Sequence, residues 1–381
     1  MRSNSYSNLI LVLLVVLVNM PKIDIFSVPG MKQGIRIDDL IVLIIVFLSF
    51  SLKSKTLFAS KGILLLLGYI LFSTALGVLL HPGENFIRIA YIFRVIEYFA
   101  FAIALRNLCQ YIKLIPFFKI TLAIQFVAVI SGLLTGNARS SGTLSGPWEV
   151  VTVVSLISFF TLYATGGSIV KHYSIPILIS IFTKSRTAIL GVLISLFFSN
   201  KNVLKLFPIF FLVISSFFYY VFELAGDDEF FWLKSAFNLG NLDLFVAFVN
   251  SAWENKDVNL FQTYKGSSDP SLAMRLGIWF NLIALYSESN WFVMKFLFGI
   301  GLGSKSIVVD GFYIRLVFEL GMIGVFLYFR LMKNLWRRQG LRPIVIYLAF
   351  TCLTLDPYSA SKIAYTLGIM YAYSHNRKVS T

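Results

Sequence analysis

Long apolar runs repeated along the whole chain constrain this protein more than any other feature. A bilayer core is about 30 Å thick and takes roughly 20 apolar helical residues to cross. Runs of that kind lie near 9–28, 37–52, 62–80, 88–107, 114–134, 148–165, 170–183, 187–199, 203–222, 311–332, 343–355 and 358–374. Inside lipid a backbone must satisfy its own hydrogen bonds, and a helix does so segment by segment. The expected fold is all-α: a polytopic membrane helical bundle of about 12 spans. Composition agrees. Of the residues, 57% are hydrophobic and 13% charged, against roughly 25% charged in a soluble domain. A cytosolic globular enzyme and a disordered chain are both excluded. Cys109 and Cys352 sit in or beside apolar runs and give neither a disulfide framework nor a zinc spacing.

The net charge of +15 is read first as a topology signal, because cytoplasmic loops collect Lys and Arg. With the N-terminus inside, the inner segments hold Arg2, Lys53, Lys55, Lys61, Arg106, Lys113, Lys171, Lys201, Lys205, Lys333, Arg337, Arg338, Arg342, Arg377 and Lys378. The short outer loops hold fewer: Lys22, Lys32, Arg36, Arg88, Arg139, Lys184, Arg186 and Lys362. Both termini are therefore expected in the cytoplasm, and no nucleic-acid partner is implied. The first run is expected to stay in the protein, since no small-residue cleavage site follows Val18.

Three regions follow: spans in 1–222, a large outer loop in 223–310, and spans in 311–381. Connections longer than about 15 residues are usually functional. Within this loop, Asp269-Pro270 reads as N-cap and N1 of a helix. Leu272, Leu276, Trp279, Phe280 and Ile283 follow at helical spacing, with Arg275 off that face. Trp291–Leu302 is a short apolar segment that re-enters the membrane or lies at its surface. No internal repeat relates the two halves, which argues against an inverted-repeat transporter.

Ionisable residues in or beside spans are the informative ones, because charge is expensive to bury in lipid. The loop Gly136-Asn137-Ala138-Arg139-Ser140-Ser141-Gly142-Thr143-Leu144-Ser145-Gly146-Pro147-Trp148-Glu149 is small and hydroxyl-rich around one Arg, whose paired donors match phosphate oxygens. Thr183-Lys184-Ser185-Arg186-Thr187 places two cations on the outer side, against the charge bias. Phe298-Gly299-Ile300-Gly301-Leu302-Gly303-Ser304 lacks the strand and helix of a dinucleotide site, yet its glycines offer backbone amides to an anion. Asp310-Gly311-Phe312-Tyr313 follows, with Asp310 as acid, base or N-cap. Arg94 and Glu97 lie one turn apart inside span four and read as a structural pair. His81, His172 and His375 are scattered, so no metal is expected.

Together these residues resemble the O-antigen polymerase and O-antigen ligase superfamily of bacterial envelope proteins. The resemblance rests on the Arg139-Ser140-Ser141-Gly142 loop, on Ser185-Arg186-Thr187 opening a span, and on the late outer loop ending in 298–303. Asp310-Gly311-Phe312-Tyr313 with Glu319-Leu320-Gly321-Met322-Ile323-Gly324, and Arg36-Ile37-Asp38-Asp39-Leu40, add to it. It implies a lipid-carrier glycosyltransferase of the bacterial inner membrane. Such an enzyme transfers a glycan from undecaprenyl diphosphate to a sugar hydroxyl on the outer face, without cofactor or metal. Its partners would be an undecaprenyl-diphosphate-linked oligosaccharide, membrane lipids and a chain-length regulator. Ligases carry a His where this chain has Asp310, and 223–310 holds none, which favours a polymerase.

Arg139, Arg186 and Arg275 are then the expected diphosphate contacts, with Lys184 as a weaker one. Asp310 is the candidate base, with Glu149 behind it. Gly142, Gly301, Gly303 and Tyr313 complete the expected substrate-binding set. The alternatives are an O-antigen ligase, a polytopic transporter or flippase of lipid-linked oligosaccharide, and a non-catalytic envelope protein.

Overall fold

The computed structural model describes residues 2–26, 35–51, 61–80, 85–136, 140–199, 215–216, 279, 291–303, 311–337, 341–353, 355–358 and 360–376. These are almost entirely helical. In chain order the helices are α1 (Arg2–Asn19), α2 (Ile37–Ser51), α3 (Lys61–Leu80), α4 (Asn85–Leu108), α5 (Leu114–Leu134), α6 (Pro147–Thr165), α7 (Ile169–Phe182), α8 (Arg186–Ser199), α9 (Phe292–Phe298), α10 (Phe312–Trp336), α11 (Arg342–Thr351) and α12 (Ser361–Asn376). By length and composition alone, three of these segments, α5, α6 and the whole of α10, are apolar enough to cross a membrane. The expected ninth span, near 203–222, and most of the 223–310 loop lie outside the described residues.

Local chemistry explains where the helices stop. Helix α6 opens with Pro147 in its first turn after an extended Gly146, and closes on Gly166 in the left-handed conformation. It is the central helix, buried on every side from Glu149 to Thr161. Helix α1 ends at Asn19 instead of running to residue 28. Pro21 has no N–H to continue the ladder, and Asp24–Phe26 then pairs antiparallel with Ile35–Arg36. An Arg36–Asp24 ion pair of 3.3 Å closes this small hairpin.

The bundle carries large apolar side chains on its outside and buries polar groups among the apolar ones of its core. Phe47, Phe93, Val127, Leu134 and Phe326 are exposed, whereas Gln125, Glu149, Ser155, Lys362 and Thr366 are fully buried. One end gathers the C-terminus of α1 and the N-termini of α2, α6 and α12: Lys362 Nζ donates to the Leu17 carbonyl (2.7 Å) and Lys22 Nζ to Ser145 Oγ (3.0 Å). The opposite end gathers Ser49 with Asn107 and Ser195 with Pro343.

Helix α10 departs from the expected continuous span over 311–332. Gly321 has φ 63° and ψ −173°, far from helical values. In an unbroken helix, residues 16 apart are about 24 Å apart. Here the Phe312 and Tyr328 rings lie 4.9 Å apart, and Tyr313 stacks on Phe329 at 6.1 Å. The first leg, Phe312–Leu320, therefore folds back on the second, Met322–Trp336, as a helical hairpin. The break frees carbonyls that need donors. Ile300 N–H bonds the Phe318 carbonyl and Gly301 N–H the Glu319 carbonyl, both at 2.9 Å. Tyr69 OH reaches the Leu320 carbonyl (2.6 Å) and Ser73 Oγ the Glu319 carbonyl (3.0 Å).

This contact leaves no room for side chains. A Cβ at Gly299 (φ +81°) would stand 2.2 Å from the Glu319 carbonyl oxygen, and one at Gly321 2.5 Å from Gly299 N. Nothing lies within 4 Å of a Cβ at Gly68 in α3. Thermal unfolding in detergent is expected to separate the two cases. Gly68→Ala stabilises by about 0.5–1 kcal/mol through helix propensity. Gly299→Ala and Gly321→Ala each lower the melting temperature by several degrees or abolish folding.

Candidate functional site

Two neighbouring polar clusters occupy the end of the bundle that holds the N-termini of α2, α6 and α12. The first is built on the 140–149 loop. Gln125, buried in mid-helix on α5, donates to Thr143 Oγ1 (2.6 Å) and Asn19 Oδ1 (2.9 Å), and its Oε1 accepts the Thr143 amide (3.4 Å). Gly142 passes against it with φ +56°, where a Cβ would lie 2.7 Å from Gln125 Oε1. Glu149 is fully buried in the first turn of α6. It accepts the Ser145 amide (3.1 Å) and the Ser145 hydroxyl, and pairs with Lys22 at 3.2 Å. Three elements thus fix the loop that leads back towards Arg139.

Lys362 connects this cluster to α2. Its ammonium is 3.4 Å from Asp38 Oδ2 and lies within electrostatic reach of Glu149 and Lys22. Next along α2, Asp39 accepts the Arg36 amide (2.9 Å) and pairs with Arg94. Arg94 also holds Glu97 at 2.8 Å, and Glu97 accepts the Tyr365 hydroxyl at 2.6 Å. Arg94 and Glu97 are the structural pair that their spacing suggests, joined to two further helices.

The second cluster sits on the α10 hairpin. Arg315 Nε donates to Glu319 Oε2 (2.7 Å), its Nη1 binds Asp356, and its guanidinium lies 5.3 Å from the centre of the Tyr91 ring. Glu319 Oε1 accepts the Gly303 amide at 3.0 Å. Asp356 and Lys362 are six residues apart, so α12 and the connection leading into it touch both clusters.

The glycine run plays a different part from the one expected of it. Its amides at 299–303 donate to Lys295 O, Phe318 O, Glu319 O, Thr74 Oγ1 and Glu319 Oε1. Amides used in this way are not presented to a phosphate, so Gly301 and Gly303 serve close packing at the α10 break. Tyr313 is turned to the Ala349 carbonyl (3.0 Å) and to Phe329.

Lys184 is exposed in the turn between α7 and α8, with φ +52°. Ser185 N–H bonds the Ser180 carbonyl (3.1 Å) across it, a helix-closing turn that usually carries Gly. Arg186 is the first residue of α8. Arg139, Arg275 and Asp310 lie outside the described residues. Of the predicted loop helix, Trp279 is described, and its ring lies beside Gly311, where an added Cβ would stand 3.0 Å from it.

Sequence reasoning passed over Lys22, Gln125, Arg315, Glu319, Asp356 and Lys362 as site residues. A signal was present: all but Asp356 are polar or ionisable residues within the apolar runs, which lipid penalises unless they are paired. Lys22 and Lys362 were absorbed into the loop charge count.

Compared with family models, the chain matches none, and comparison with curated proteins gives no match either.

The Lys22–Glu149 pair makes a non-additive prediction. Removing one partner of a buried pair leaves an uncompensated charge, here moderated because the Lys22 side chain is 23% exposed. Lys22→Ala is expected to destabilise by about 1–3 kcal/mol. In a Glu149→Gln background the same change should cost less than half as much, read as melting temperatures of the four proteins in one detergent. Equal costs in both backgrounds would mean the pair does not hold the loop.

Proposed function

We propose that this protein is a bacterial cell-surface polysaccharide polymerase of the cytoplasmic membrane, using an undecaprenyl-diphosphate-linked donor. In this reading the chain crosses the membrane about 12 times, with both termini in the cytoplasm and the two polar clusters at the outer face. The observation that supports it best is the placement of buried charge. Ionisable groups from α2, α4, α6, α10 and α12 concentrate at one end of an apolar bundle, and the described end of the 223–310 segment docks there too.

The reaction is displacement at an anomeric carbon. An acceptor hydroxyl oxygen bonds to that carbon, the bond from the carbon to the phosphate oxygen breaks with its electron pair, and the hydroxyl proton leaves. Negative charge grows on the bridging oxygen, where fixed cations in a water-poor site act strongly. Arg139, Arg186 and Arg275 supply them, with Lys184 as an auxiliary. Asp310 takes the proton. Glu149, already held by Lys22 and Ser145, anchors the loop rather than acting as base.

A second reading, a flippase of lipid-linked oligosaccharide, draws on the α10 break, since discontinuous helices mark many transporter sites. It is the weaker one. The Phe318, Glu319 and Leu320 carbonyls bond Ile300 N–H, Gly301 N–H, Ser73 and Tyr69, so the break is sealed by protein.

Reconstitution separates the two. The purified protein in liposomes, given lipid-linked repeat units, is expected to form a ladder of longer glycans and to release undecaprenyl diphosphate, with or without EDTA. Alanine at Arg139, Arg186 or Arg275 should each lower the rate by about 10²–10³. Movement of single repeat units across the bilayer with no ladder would establish the flippase instead.

A further inference from the structure

We infer that Arg315, Glu319 and Asp356 are positioning residues, forming a clamp that fastens the glycine run and the α10 hairpin to the connection leading into α12. The inference rests on the proposed polymerase reading, because the 223–310 segment it fastens carries two of the residues proposed to act.

The geometry is specific. Glu319 divides its two carboxylate oxygens between separate elements: Oε1 takes the Gly303 amide (3.0 Å) and Oε2 takes Arg315 Nε (2.7 Å). Arg315 passes the connection to Asp356, whose side chain is 3% exposed. One residue before Asp356, the Leu355 carbonyl accepts the Phe312 amide at 3.0 Å. Gly303, just before 304–310, is therefore tied to the ion-pair system itself, and Phe312, two residues after it, to the residue next to Asp356. A simple space-filling pair would need one contact per group. Here planar acid and planar guanidinium each bond in two directions, which a point charge such as Lys cannot reproduce. The Tyr91 ring under the guanidinium brings in α4 as a further support.

Glutamine at 319 divides the clamp. Its amide oxygen can still accept the Gly303 N–H, while its NH2 faces Arg315 donor to donor. Alanine loses both links. Hydrogen exchange of the peptide spanning 297–303 in lipid nanodiscs, combined with kinetics on lipid-linked repeat units, tests this. In Glu319→Ala, exchange of that peptide should rise about tenfold or more. The kcat should fall by up to about 10² through misplacement, with KM within about twofold, because Glu319 does not touch substrate. Glu319→Gln should keep near-native exchange and recover part of kcat. Should Glu319→Ala fail to fold, Glu319→Asp, one methylene short of Gly303, takes its place.

Unchanged exchange in the alanine or aspartate variant overturns the clamp. Raised exchange with native kcat overturns its role in the reaction. A wild-type protein that makes no polymer overturns the proposed function, and the exchange data alone then decide whether the clamp exists.

Discussion

A charge taken out of water into a helix bundle has to bring its counter-charge with it, and this requirement organises the described part of the molecule. Moving an ion into a low-dielectric interior costs several kcal/mol even after relaxation. Most of the charges that α2, α4, α10 and α12 bury are accordingly seen in ion pairs: Lys362 with Asp38, Arg94 with Asp39 and Glu97, Arg315 with Glu319 and Asp356. In three of these pairs, Lys362–Asp38, Arg94–Asp39 and Arg315–Asp356, the partners come from segments remote in sequence. The pairs therefore do more than neutralise charge: they specify which helix ends meet.

Backbone groups obey the same rule. The α10 hairpin breaks a helical ladder inside an apolar environment, and the freed carbonyls have to find donors. The glycine run supplies them because it has no side chains to keep two backbones apart. Charge pairing and backbone pairing converge at Glu319. Its carbonyl accepts Gly301 N–H and its carboxylate accepts Gly303 N–H and Arg315. A single residue thus joins the glycine run, a broken helix and a buried arginine.

Much of the helical layout was legible from hydropathy alone. Helices α2, α3, α5 and α6 fall within a residue or two of the apolar runs that announced them. The α10 hairpin was not legible, because Gly321 within an apolar run reads the same whether it packs or breaks a helix, and the donors that make a break tolerable come from a segment 20 residues away. The glycine run was noticed for its amides, but whether an amide faces a ligand or a carbonyl depends on a partner the local sequence does not name. Glu149 stood out by its loop; Lys22, its partner, lies more than 120 residues earlier. Pairing across such separations leaves no local mark at Lys22 or Asp356, whereas Arg94 with Glu97 and Arg315 with Glu319, each one turn apart, are legible as pairs.

The central claim is that the clustered-charge end of the bundle receives a lipid-borne diphosphate. Electron cryomicroscopy of the protein in nanodiscs containing undecaprenyl diphosphate tests it most directly. Headgroup density between the 140–149 loop and the α10 hairpin, with Arg139, Arg186 and Arg275 around it, is the predicted result. Headgroup density at the opposite end, beside Ser49, Asn107 and Pro343, would contradict it.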